Sequence, residues 1–130
     1  MTANNGGAKP QIVKAGDLLP TQDEYPRMKA RWLIPASTEG WYGTVISEWE
    51  LKAAGFADLH THDELAYVLE GELHIESGGV EVVGKPGDLI RVPAGNVGSY
   101  SAPIYARMLG IYGPNPEGEN SQYLKYWEID

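Results

Sequence analysis

The stretch that decides the fold is Glu64-Leu65-Ala66-Tyr67-Val68-Leu69-Glu70-Gly71-Glu72-Leu73-His74-Ile75-Glu76-Ser77-Gly78-Gly79-Val80-Glu81-Val82-Val83. It holds three short apolar runs, Leu65 to Leu69, Leu73 to Glu76 and Val80 to Val83, each close to the roughly five to six residues of an average strand. Glu70-Gly71 and Gly78-Gly79 separate them, and glycine supplies the positive φ that a tight hairpin demands. Further runs lie on either side: Met28 to Ile34, Thr44 to Leu51, Leu89 to Val92 and Tyr105 to Tyr112, with Pro86-Gly87-Asp88 and Pro93-Ala94-Gly95 as turns between them. No stretch sustains an apolar period of 3.6 residues, so the chain is predicted to be all-β. Seven or more closely spaced strands in 130 residues predict a sandwich or small barrel.

The length suits one domain with one core, large enough to fold without disulfides or a structural metal. Met1 to Lys9 has little to bury and is expected to be a loose tail; Gln11 to Tyr25, broken by Gly16 and Pro20, reads as an extended lead-in laid against a sheet. The expected division is therefore a tail and lead-in over 1–26 and a single folded domain over 27–130. Pro114 to Asn120 reads as a surface loop. Tyr123, Tyr126, Trp127 and Ile129 are too apolar to be left in water, so the C-terminal end is expected to pack back on the domain or on a second subunit.

Ten Lys plus Arg against eighteen Asp plus Glu leave a net charge of −8, which argues against nucleic acid and anionic membrane as partners, since both are bound by clustered cations. A small-molecule ligand or substrate remains. The absence of cysteine removes thiolate chemistry, no apolar run has the length of a membrane span, and a cytoplasmic location is expected. No nucleophile elbow, phosphate loop or glycosidase-like carboxylate pair stands out, which sets hydrolases and kinases aside.

Two of the three histidines lie in Asp58-Leu59-His60-Thr61-His62-Asp63-Glu64. In an extended strand Asp58, His60, His62 and Glu64 share one face. Imidazole and carboxylate side chains on one wall are the donor types that hold a divalent ion and leave positions open for substrate. His60, His62 and Glu64 are thus predicted metal ligands, with Asp58 the next candidate and Tyr100 a candidate to move a proton beside Glu64. His74 alternates with Leu73 and Ile75 and is expected to face outward. Arg91 and Arg107 are expected in outward salt bridges.

The chain resembles the cupin superfamily, small double-stranded β-helix or jelly-roll barrels. Glu64 to Gly71 resembles the second half of the first cupin motif, in which Glu is followed after six residues by Gly. Gly87-Asp88-Leu89-Ile90-Arg91-Val92-Pro93-Ala94-Gly95 resembles the second motif. In the family's first motif two His, one residue apart, precede the Glu, and counting back from Glu64 places them on Asp58 and His60, with His62 extra on the same face. Either Asp58, His60 and Glu64 form the site, or a shortened loop lets His60 and His62 pair beside Glu64. The His of the second motif falls on Gly98, so the fourth family ligand is absent.

The resemblance implies one divalent ion (iron, manganese, nickel or zinc), a pocket at the barrel mouth, and a metal-dependent enzyme of dioxygenase, lyase or isomerase type acting on an oxygen-rich small substrate. It equally admits a metal-free ligand-binding or accessory cupin, as the similarly sized ethanolamine-utilisation EutQ-like proteins have partly lost the ligands, or the sensing module of a regulatory system. Cupins of this size commonly pair, so a homodimer is expected. Tyr and Trp supply twelve of the thirteen aromatic residues, so Trp32, Trp41, Tyr42, Trp49, Tyr67, Tyr100 and Tyr105 are candidates for the pocket lining or the core.

Overall fold

A computed structural model describes residues 9–130. The expected tail over Met1 to Lys9 lies almost wholly outside them. The strands are β1 (Leu19–Pro20), β2 (Met28–Ile34), β3 (Val45–Leu51), β4 (Ala54–Leu59), β5 (Glu64–Gly71), β6 (Leu73–Ser77), β7 (Val80–Gly84), β8 (Leu89–Val92), β9 (Val97–Ala102), β10 (Ala106–Tyr112) and β11 (Gln122–Glu128). There is no helix among the described residues, and so none long and apolar enough to cross a membrane. The strands form two antiparallel sheets, a six-stranded one in the order β1-β2-β3-β10-β5-β8 and a five-stranded one in the order β11-β4-β9-β6-β7. This is the jelly-roll barrel expected from the sequence.

Period-two alternation places the core between the sheets. On β3, Val45, Ser47, Trp49 and Leu51 point inward while Ile46, Glu48 and Glu50 are only half-buried. The inward residues of β5, β6, β9 and β10 meet them, and Tyr100, Leu51, Leu73, Met108 and Val68 are fully buried. Each such side chain contributes on the order of 1.5–3 kcal/mol through its removal from water. Glycine is obligatory at the β5–β6 hairpin: Gly71 has φ +75°, and a Cβ there would lie 2.0 Å from the Tyr105 carbonyl oxygen.

Four strands fall outside the runs read from the sequence. β4, Ala-Gly-Phe-Ala-Asp-Leu, and β9, Val-Gly-Ser-Tyr-Ser-Ala, lack the β-branched alternation that marks a strand. They are held by pairing with each other, from Ala54↔Ala102 to Leu59↔Val97. The C-terminal segment becomes β11, paired with β4, so it packs back on its own domain. The lead-in contributes β1, whose Leu19 and Pro20 pair with Ala30 and Lys29. The loop after β10 is not all surface: Asn115 is buried, its backbone bridges Trp41, and its side chain holds the Glu119 backbone.

Candidate functional site

The sequence reading set Asp58, His60, His62 and Glu64 on one face of one strand. The structure corrects this, because β4 ends at Leu59 and residues 60–63 turn the chain from the five-stranded sheet into the six-stranded one, where β5 begins at Glu64. The corner is pinned on both sides. Gly95 N–H donates to the His60 carbonyl at 2.8 Å, and Gly113 N–H donates to the Asp63 carbonyl at 2.9 Å. The Asp63 carboxylate accepts from the Ala94 amide at 2.8 Å and from Arg91 at 2.9 and 3.0 Å, and these bonds hold its pKa below the usual carboxylate range. Arg91 thus makes the outward ion pair expected of it, and Arg107 does the same between Glu48 and Glu70.

The corner brings Asp58, His60 and Glu64 together from two sheets. His60 Nε2 stands 2.7 Å from Asp58 Oδ2 and 2.7 Å from Glu64 Oε1, and both carboxylates are buried. Burial by itself would lower the His60 pKa, but hydrogen bonds to Asp58 and Glu64 and their charges outweigh it and raise it to about 10. Burial raises the Asp58 pKa, the Glu64 charge adds to that, and His60 offsets part of it. On its other edge the imidazole is fixed by a hydrogen bond between Nδ1 and Ser121 Oγ, a residue with no motif around it to single it out.

Tyr100 sits beneath this cluster rather than in front of it. Its O–H donates to Glu64 Oε1 at 2.9 Å, its ring stacks on Phe56 and meets Trp49 edge-on, and the residue is fully buried. Burial beside Glu64 and Asp58 pushes its pKa far up, so it is a permanent hydrogen-bond donor that acts through Glu64. Gly98 pairs with Asp58 across β9 and β4, and a Cβ on it would lie 2.5 Å from the Tyr100 hydroxyl. The phenol therefore occupies the space in which a ligand side chain at position 98 would stand.

The residues fit a cation. Asp58, His60 and Glu64 each offer one ligand atom, all lying within 4.8 Å of one another. Asp58 Oδ1 is buried and has no hydrogen-bond partner among the described residues, which leaves a carboxylate oxygen needing a positive neighbour. His62, predicted as a ligand, is outside this cluster. Its ring lies 4.7 Å from that of His60 but packs against Trp41 and Tyr112, Nδ1 faces its own chain at the Asp63 carbonyl, and burial lowers its pKa. A strand would have carried His62 to the same face; the turn at 60–63 rotates it away. His74 is half-buried and bonded to Glu72, clear of the site.

Asp58, His60 and Glu64 form part of the wall of an open cavity of about 330 Å³, lined elsewhere by residues that include Met28, Trp32, Ser47, Trp49, Phe56, Tyr112 and Tyr123. Trp32 and Tyr123 are more than half exposed and stand at its rim. Of the other aromatic candidates, Trp41 lines a neighbouring space with His62, while Tyr42 is on the surface. An acidic inner wall, one imidazole and an aromatic lining make a chamber suited to a small molecule.

Comparison with known proteins agrees with this fold. The chain is 33% identical over 112 residues to a quercetin 2,3-dioxygenase of Bacillus subtilis, covering 83% of this chain and 32% of that protein. It is 30% identical over 108 residues to the acetate kinase EutQ of Salmonella typhimurium, covering 83% and 40%. The chain thus spans about a third to two fifths of the length of these curated relatives. A cupin-like protein of Thermotoga maritima superposes with a TM-score of 0.65 at 16% identity, covering 75% of each chain, which is a likeness of fold. The family model described as ethanolamine utilisation protein EutQ matches residues 5–116, and the chain belongs to this EutQ family of cupins.

Proposed function

We propose that the chain acts on a small oxygen-bearing molecule, with one divalent metal ion held by Asp58, His60 and Glu64 at the inner wall of the 330 Å³ cavity. The observation that carries this reading is the buried Asp58 Oδ1 without a donor, beside a second buried carboxylate. Imidazole and carboxylate donors suit iron, manganese, nickel and zinc alike. When bound, such an ion polarises a substrate oxygen and, if redox-active, opens oxygen chemistry. The chain's own residues supply the rest. Ser121 fixes the plane of the His60 ring. Tyr100 keeps the Glu64 carboxylate turned inward, and Asp58 and Glu64 are the groups beside the cavity able to take a proton from a bound molecule.

The Bacillus relative's name supports an oxygenase-type reading. The Salmonella relative's name supports phosphoryl transfer, but the wall of this cavity is acidic and its one guanidinium, Arg31, is bound to Glu48 at 2.8 Å and to the Lys14 carbonyl at 2.8 Å. A metal-free binding module is the second reading. It is favoured by His60 Nε2, which stands 2.7 Å from an oxygen of each carboxylate and so can hydrogen-bond to either. Pairing of two chains, expected from the sequence, belongs to the same proposal and is read by sedimentation.

The test loads the purified protein with each of the four metals, measures metal content, and assays oxygen uptake with quercetin and with acetylacetone, with acetyl phosphate formation from acetate and ATP as a parallel arm. About one ion per chain and metal-dependent turnover of a probe are expected. Trace metal throughout moves the assignment to the metal-free module, and acetyl phosphate formation moves it to the kinase.

A further inference from the structure

A second cavity, of about 360 Å³, opens beside the first and shares Trp32, Tyr112 and Tyr123 with it. Trp41 and Val45 extend its apolar wall, and His62, which is not on the wall of the first cavity, lines this one. The wall is built rather than loose. Trp41 Nε1 donates to the Gly113 carbonyl at 2.8 Å, the Trp41 backbone bridges Asn115, and the buried Asn115 side chain holds the Glu119 backbone. His62 is itself only 5% exposed, in edge-to-face contact with Trp41 and Tyr112. Its Nδ1 faces the Asp63 carbonyl at 3.2 Å, an oxygen that only accepts, so in the neutral ring the proton sits on Nδ1 and Nε2 presents its lone pair. Nε2 has no hydrogen-bond partner among the described residues, yet it is not one of the unpartnered atoms shut off from solvent, which are Trp49 Nε1 and Asp58 Oδ1. A ring more than nine-tenths buried thus offers its one free acceptor where a molecule in this cavity can reach it. An acceptor among aromatic rings calls for a ligand that brings a proton on a flat apolar body. No Lys or Arg lines the cavity and Glu119 does, which does not suit an anion.

We infer that this second cavity binds a neutral phenol, its ring against the aromatic wall and its hydroxyl donating to His62 Nε2. Trp32 and Tyr123, both more than half exposed, offer the open ring surface, and Trp41 is held in place beside His62. A phenol is a better proton donor than an alcohol, because its O–H is the more acidic, and its flat ring matches the walls where a saturated ring would not. The site lies outside the Asp58–His60–Glu64 cluster and does not depend on an ion there.

The test follows the ring nitrogens of His62 in ¹⁵N-labelled full-length protein. Three histidines give three rings, and the right one is identified by its loss in His62→Phe or by its contact with the Trp41 ring protons. Three probes are titrated at one pH: phenol; anisole, whose methyl group replaces the hydroxyl proton; and cyclohexanol, which keeps the hydroxyl and loses the flat ring. Phenol is expected to shift Nε2 saturably upfield and to bind about five- to tenfold more tightly than anisole, the worth of one hydrogen bond. Cyclohexanol is expected to bind more weakly than phenol for want of ring contacts, and His62→Phe to bind phenol and anisole alike. No saturable shift with phenol, equal affinity for phenol and anisole, or cyclohexanol bound as tightly as phenol overturns the inference, and all three are read on the unaltered protein. The titration is run with and without a chelator, with metal content measured alongside. The phenol shift is expected in both; a shift that the chelator abolishes would place the phenol on an ion instead and overturn the inference, while the shift in protein that never takes up metal sinks the metal reading and leaves this site standing.

Discussion

The Tyr100 hydroxyl stands 2.5 Å from the point where a Cβ on Gly98 would lie and 2.9 Å from Glu64 Oε1. One phenol therefore fills the space of a ligand at 98 and orients the carboxylate that remains. Gly98→Ala is expected to cost about 1–3 kcal/mol in urea unfolding, because a fully buried ring has nowhere to withdraw. Gly98→His is expected to give no gain in zinc affinity by calorimetric titration. An alanine variant as stable as the parent would show that Tyr100 yields.

Tyr100→Phe removes the donor and keeps the ring. It is expected to destabilise by about 1–3 kcal/mol, since Glu64 loses a hydrogen bond in a buried setting. Combined with Gly98→Ala the cost should fall short of the sum of the two, because the hydroxyl is the atom nearest the added methyl. Additive losses in the double variant would mean that the two residues do not meet.

β11 is held on the sheet by a second close approach. A Cβ on Gly55 would lie 2.2 Å from the Trp127 ring, so Gly55→Ala must displace that indole from β4. Amide exchange is expected to speed up in residues 122–128 while β10, at the centre of the other sheet, keeps its protection. Uniform loss of protection would show that β11 is not a separable unit.

Glu48 is a test of acid stability away from the site. Burial would raise its pKa, but hydrogen bonds from Arg31 at 2.8 Å and Arg107 at 2.5 Å outweigh that and hold it below its ordinary value. A depressed carboxyl pKa in the folded state gives stability that is present above the unfolded value and is lost as pH falls through the folded one. Glu48→Gln is therefore expected to lower stability at pH 7 by about 1 kcal/mol and to flatten the acid limb of the stability profile. An unchanged acid limb would assign that limb to other carboxylates.

The strands with β-branched alternation and glycine punctuation, β5 to β8 above all, were legible because local pattern and tertiary burial agree there. β4 and β9 were not, since their small residues are chosen for what lies against them: Gly55 for Trp127, Gly98 for Tyr100. Period-two spacing put Asp58, His60, His62 and Glu64 on one face with His62 ahead of Asp58, because it takes as strand the corner where Asp63, tied to Arg91 and Ala94, turns the chain and leaves His62 outside the Asp58–His60–Glu64 cluster. Ser121 carries no sequence signal, because its contact with His60 exists only once distant parts of the chain meet.

The most direct measurement of the central claim is metal content per chain in the parent protein, His60→Ala and His62→Ala, each reloaded with manganese, iron, nickel or zinc and desalted. The account predicts about one ion per chain in the parent and in His62→Ala, and only trace in His60→Ala. Full metal in His60→Ala, or its loss in His62→Ala, would contradict the assignment of the site to Asp58, His60 and Glu64.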